Sequence, residues 1–192
     1  MSHPSNVFAI YLNGTSSAGK TTIRRALQEA IKRPVLTTGI DLLIRRILPD
    51  KAFLQPNSQD DFYWLTEKDS QGTAVPRLYM GDRAKKAYMG LVAATYALLK
   101  TGNPVIIDDV AIAGKWQVDL WKEALQGYSN LFVGVHCPLE ILQKREEARG
   151  DRPLRSAQGQ YEIVHQGIEY DLNVDTHKES VEEIVSKILM FL

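Results

Sequence analysis

Eight consecutive residues, Gly14-Thr15-Ser16-Ser17-Ala18-Gly19-Lys20-Thr21, carry the densest chemistry in the chain. They fit G-x-x-x-x-G-K-[ST] at every position, the pattern of a loop that cradles phosphates. The two glycines let the backbone turn and come close to an anion. Amides from about Ser16 to Thr22 would then point inward as a nest at a helix N-terminus. Lys20 can reach the β- and γ-phosphates of ATP, and the Thr21 hydroxyl suits a Mg²⁺ ion bridging the same oxygens. Gly14, Thr15, Ser16, Ser17, Ala18, Gly19, Lys20, Thr21 and Thr22 are therefore the expected ATP-binding residues.

Two acidic positions suit such a loop. Pro104-Val105-Ile106-Ile107-Asp108-Asp109-Val110 is an apolar strand ending in two carboxylates. Asp108 is expected in the Mg²⁺ shell, as a Walker B acid, and Asp109 should face the other way unless the strand has already ended. Asp41 follows a second apolar run, in Thr37-Thr38-Gly39-Ile40-Asp41. It suits either a helix N-cap or a general base at the nucleotide site, taking the proton of an attacking hydroxyl. The two roles are compatible. Arg145, Arg149 and Arg152 are spaced i, i+4 and i+7, one face of a helix that Gly150 and Pro153 should interrupt. They could close as a lid over a transferring phosphoryl group, with Arg145 among the nucleotide-binding residues. They could equally pair with Glu140, Glu146 and Glu147 on a solvated face.

These residues need strands and helices to hold them. Val7–Leu12, Val35–Thr38, Val105–Ile107 and Leu131–His136 read as strands buried on both faces, and Tyr170–Val174 as a weaker fifth. Helical spacing marks a segment from Lys20 to Pro34, then Ala84–Leu98, Trp116–Ala124, Leu139–Arg149 and Val181–Leu189. Ser180 and Glu183 could form a capping box on the last. This alternation predicts an α/β, doubly wound, parallel sheet in one domain over residues 1–192. Residues 49–80 break it; Phe62–Thr66 and Thr73–Val75 could pair as a small hairpin in an insertion that covers substrate. The lid is expected over 145–158, and adenine between it and the loop near Thr176 and His177.

Composition narrows the alternatives. Of 192 residues, 23 are basic and 23 acidic, so the net charge is zero and neither nucleic acid nor an anionic membrane is an expected partner. No apolar run reaches the roughly 20 residues of a membrane span, no signal peptide is visible, and a cytoplasmic protein is expected. Cys137 is the sole cysteine, which excludes an internal disulfide. His136, His165 and His177 show no zinc-ligand spacing. No N-K-x-D guanine signature occurs, which argues against a GTPase switch.

LNGTSSAGKT, TGIDLLI, VIIDDV, ARGDR and HQGIEYDLNVDTHKES together resemble the chloramphenicol phosphotransferase family over nearly the whole length. The resemblance implies a five-stranded parallel sheet with a lid, similar to nucleotide and shikimate kinases. It implies an ATP-dependent kinase acting on a primary hydroxyl of an antibiotic such as chloramphenicol. It implies Asp41 as base and Arg149 and Arg152 as lid residues. The stretch from Lys51 to Arg77 departs from the antibiotic-modifying pattern. A kinase for a metabolite hydroxyl (a sugar acid or nucleoside) and a non-catalytic nucleotide switch are the other readings.

Overall fold

A computed structural model describes residues 7–47, 59–150 and 153–192. Its elements in chain order are β1 (Phe8–Asn13), α1 (Lys20–Ala30), β2 (Leu36–Thr38) and the short α2 (Ile40–Leu42), which widens into a π turn over Leu43–Ile47. There follow β3 (Phe62–Lys68), β4 (Ala74–Met80), α3 (Asp82–Lys100), β5 (Val105–Asp109), α4 (Lys115–Ala124) and β6 (Ser129–His136). The chain ends with α5 (Leu139–Arg149), α6 (Ser156–Tyr161), β7 (Leu172–Asp175) and α7 (Val181–Leu189).

Five strands form a parallel sheet in the order β2-β5-β1-β6-β7. The continuous apolar runs have a direct cause: both faces are covered. Ala9, Tyr11, Val105, Ile107 and Phe132 point to one face and pack with Tyr88 and Leu91 of α3 and Val118 and Trp121 of α4. Phe8, Ile10, Leu12, Ile106, Leu131 and Val133 point to the other and pack with Ile23 and Leu27 of α1, Leu142 of α5 and Ile184, Val185 and Ile188 of α7. Alternate residues of one strand thus serve opposite cores. β1 lies at the centre, so the loop after it emerges at the carboxyl end of the sheet, where open parallel sheets bind ligands. Ser180 and Glu183 form the expected capping box on α7. None of the described helices is long and apolar enough to cross a membrane.

Several boundaries differ from the sequence reading. β5 runs on through Asp108 and Asp109, and β7 begins at Leu172, leaving Tyr170 before it. The hairpin is longer than expected, with seven residues in each of β3 and β4. Pro76 lies within it, opposite Thr66; a two-stranded ribbon leaves an open edge that tolerates a missing N–H. α6 had no apolar periodicity to announce it. It forms because the buried Glu146 carboxylate accepts from the Arg155 and Ala157 amides at 2.7 and 2.8 Å, and from the Ser156 hydroxyl. Glu146 is thus a cap for the following helix. The hairpin rests on α6: a Cβ at Gly159 would lie 2.2 Å from the Pro76 carbonyl oxygen.

Asp109 binds these layers together. Its carboxylate, fully buried, accepts from Tyr11 (3.1 Å), Tyr88, Gln117 (2.9 Å) and Trp121 (3.3 Å), and from the Ile40 amide (3.1 Å). Burial pushes its carboxyl up against the pull of those bonds. Burial and the Asp109 charge together raise the Tyr11 and Tyr88 hydroxyls well above the ordinary phenol value.

Because every partner donates, Asp109→Asn would turn an amide NH₂ toward donors. It should cost about 1–3 kcal/mol, the scale of a buried unsatisfied polar group. Urea unfolding of the variant checks this, and an unchanged midpoint would contradict the clamp.

Candidate active site

The loop from Gly14 to Lys20 joins β1 to α1, and the close approach of neighbouring backbones shapes it. A Cβ on Gly14 would lie 2.3 Å from the Val135 carbonyl oxygen. Gly19 takes φ 94° and Ser17 φ 64°, so the peptide planes turn inward as an anion nest requires. Lys20 is buried and donates to the Gly14 and Thr15 carbonyls at 2.9 and 2.7 Å. The hydroxyls of Ser16 and Ser17 are buried and have no hydrogen-bond partner among the described residues. Orphaned polar atoms around a cationic nest fit phosphate oxygens.

At the start of α1, the Thr21 hydroxyl donates to Asp108 Oδ2 at 2.8 Å, and Arg24 lies 3.6 Å from the same oxygen. Two adjacent hard oxygens of this kind suit Mg²⁺. Asp108 faces the loop while Asp109, one residue on, points into the core, as strand alternation requires.

Asp41 is not the cap of its helix. Gly39 takes that position, with φ 142°, and a Cβ there would lie 1.9 Å from the Asp108 carbonyl oxygen. That contact brings the turn after β2 against β5, and the Asp109 bond to Ile40 holds it there. Asp41 then projects, exposed, into the cavity that the phosphate loop lines. The cavity, about 410 Å³, is also lined by Lys20, Thr21, Asp108, Arg145 and Arg149. Its far wall is Thr176, Glu179, Val181 and Ile184.

The arginines separate. Arg145 bridges the loop and the residue that follows β7, donating to the Ser17 carbonyl (3.4 Å) and to Thr176 Oγ1 and its carbonyl (3.0 and 3.1 Å). Arg149 ends α5, exposed at the cavity, where Gly150 breaks the helix with φ 63°. Arg152 lies outside the described residues, as do residues 48–58 of the expected insertion.

Three contributors act through contacts that sequence spacing does not show, although Thr176 is among the residues expected near the adenine. Gln160 of α6 accepts from the Ser16 amide at 2.7 Å, so the hairpin, α6 and the phosphate loop are mechanically joined. Thr176 donates to the Ala18 carbonyl at 2.9 Å and packs on Gly19. His136 and His165, distant in sequence, stand with ring centroids 4.1 Å apart beside Thr15. Asn13 donates to the Tyr170 hydroxyl at 2.6 Å, leaving that hydroxyl free to donate to His165 Nδ1 at 2.8 Å. Burial, then the His136 imidazole and the Lys20 ammonium, lower His165 to about 4.

The sheet order and phosphate loop define a P-loop kinase fold. Solved structures agree. An APS kinase from Mycobacterium tuberculosis, in complex with AMPPNP and APS, superposes with TM-score 0.67 at 13% identity, covering 98% of both chains. A Janibacter sugar kinase gives 0.65 at 17%, covering 96% of this chain and 94% of that one. Shikimate kinase from Acinetobacter baumannii gives 0.56 at 17%, covering 96% and 92%. In sequence, a Mycobacterium tuberculosis protein provisionally named an O-phosphotransferase is 31% identical over 179 residues, 93% of this chain and 79% of that protein. The family model for chloramphenicol phosphotransferase-like proteins matches residues 8–192, and the chain belongs to that family. It is a phosphotransferase acting on a hydroxyl.

The depressed His165 makes a pH prediction. Its ordinary value is 6.5, and folding lowers it to about 4. Between those values the unfolded chain binds a proton that the folded chain refuses, so stability should fall as pH drops through that window. His165→Gln should show a flatter loss in urea midpoints measured from pH 6.5 down to 4.5. A slope equal to that of the parent chain would remove His165 as the cause.

Proposed function

We propose that the protein transfers the γ-phosphoryl group of ATP to an alcohol hydroxyl of a small molecule. The observation that carries this reading is convergence. Lys20, Thr21, Asp41, Asp108 and Arg149 come from four separate segments and line one cavity. A nucleotide switch would need no carboxylate where Asp41 stands.

The triphosphate lies along residues 14–22, with its oxygens meeting the Ser16 and Ser17 hydroxyls. Lys20 exchanges the Gly14 and Thr15 carbonyls for β- and γ-phosphate oxygens. Thr21 and Asp108 are the residues that would hold Mg²⁺, which would offset the phosphate charge. The acceptor oxygen forms a bond to the γ-phosphorus as the bond to the β,γ-bridging oxygen breaks, and ADP leaves. Asp41 takes the hydroxyl proton in that step. Arg149 closes over the charge that develops on the transferring group. Arg145 holds the Thr176 wall on the adenine side. A cytoplasmic setting fits a reaction that consumes ATP. The family name offers chloramphenicol as one acceptor to try, and metabolite alcohols are the other class.

Asp41→Asn should cut kcat by roughly 10² to 10⁴, the scale of a general base, while KM for ATP stays within about twofold. Acceptor-dependent ADP release, with ³¹P detection of the phosphorylated product, measures both. A loss under about threefold would leave Asp41 as a wall of the cavity only. Lys20→Ala should nearly abolish turnover with an unchanged circular dichroism spectrum, and near-normal turnover would overturn the phosphate-loop assignment.

A further inference from the structure

A second cavity shares the loop after β5 with the first. It encloses about 550 Å³ between β4, the first turn of α3, the turn into α4 and the segment after α6. That volume is within the range of small-molecule sites. The two cavities share one loop: Val110 lines the first and Ile112 the second, no more than about 7 Å apart along the chain. Asn13 at the end of β1 fixes that loop, accepting from the Ala111 amide at 2.9 Å.

The lining is one-sided in charge. Arg77, Lys85 and Lys115 border the space, and among the described residues no carboxylate does. Arg77 is paired behind the wall with Glu67 (3.3 Å) and Glu162 (2.9 Å), but its Nε is buried without a partner. Lys115 is paired with Asp119 at 2.6 Å, where both are exposed. Lys85 is half-buried, and its ammonium has no ion pair or hydrogen bond among the described residues. Lys85 is in the first turn of α3 and Lys115 opens α4, so both cations sit where a helix dipole already favours an anion. No side chain caps α4. Tyr79, Ile112 and the 39% exposed Trp116 supply apolar and aromatic surface beside these charges.

Resting on the phosphotransferase reading above, we propose that this cavity is the acceptor subsite and that it selects an acceptor bearing an anionic group. The anion, a carboxylate or a phosphate or sulfate ester, sits among Lys85, Arg77 and the amides that open α4. The acceptor hydroxyl is thereby aimed along the shared loop toward Asp41. An uncharged antibiotic would leave Lys85 without a counter-charge in a partly dry site, so it would be a poor acceptor.

The test is an amide and indole NMR titration with the phosphate loop first filled by AMPPNP and Mg²⁺. Malonate, inorganic phosphate and the uncharged malonamide are then added at constant ionic strength. We expect saturable shifts at the Lys115 and Trp116 amides and the Trp116 indole with an anion and none with malonamide. Malonate binding more tightly identifies a carboxylate, and phosphate a tetrahedral ester. Lys85→Gln should weaken that binding at least tenfold while leaving the AMPPNP shifts of Gly19 to Thr22 intact. Anion shifts absent, matched by malonamide, or unchanged by Lys85→Gln would overturn the inference. Absence of the AMPPNP shifts would instead overturn the phosphotransferase reading. In turnover, hydroxycarboxylates should exceed their methyl esters and chloramphenicol by tenfold or more in kcat/KM, and the reverse order would also overturn the inference.

Discussion

The Asp109 carboxylate, buried at the end of β5, takes hydrogen bonds from β1, α3 and α4 and from the turn after β2. A buried charge left without donors would cost several kcal/mol, so all of these elements are held to the places their donors occupy. One of those donors is the amide beside Asp41. The carboxylate that faces the cavity is therefore positioned by a second carboxylate that never reaches it. The Gly39 contact with β5 completes the same constraint, because only a residue without Cβ admits the approach.

A second set of contacts governs the phosphate loop. Gln160, Thr176 and Arg145 each hold one of its polar backbone groups, and they come from three different segments. The loop is thus clamped from outside as well as turned by its own glycines. Gln160 engages the Ser16 amide, which an anion nest would otherwise offer to phosphate. The hairpin packs on α6 at Gly159, so the outer wall of the second cavity is connected to the floor of the first.

The two cavities differ in their electrostatics. The nucleotide cavity mixes Lys20 and Arg149 with Asp41 and Asp108, as suits a polyanion, a divalent ion and a proton transfer in one place. The charged side chains that line the second are, among the described residues, all cations. With a net charge of zero over the chain, that separation is a local property of the fold and does not reflect a basic protein.

Local pattern was enough for much of this. The phosphate loop is contiguous, so its spacing specified both its chemistry and its place between a strand and a helix. The strands β1, β2, β5 and β6 announced themselves because burial on both faces demands unbroken apolar runs. The opposite directions of Asp108 and Asp109 followed from the two-residue period of a strand. What needed the tertiary structure were contacts made across the chain. Glu146 reads as a surface acid on an arginine-rich helix until α6 folds over it. Asp41 suits a cap or a base equally until the Gly39 backbone takes the cap position against β5. The His136 and His165 pair, the Gln160 clamp and the cationic cavity join residues from β4, α3, α4, α6 and β6 and the loops beside them. Sequence spacing encodes neighbours along an element, whereas these groups are neighbours only because the sheet order brings distant segments to one edge.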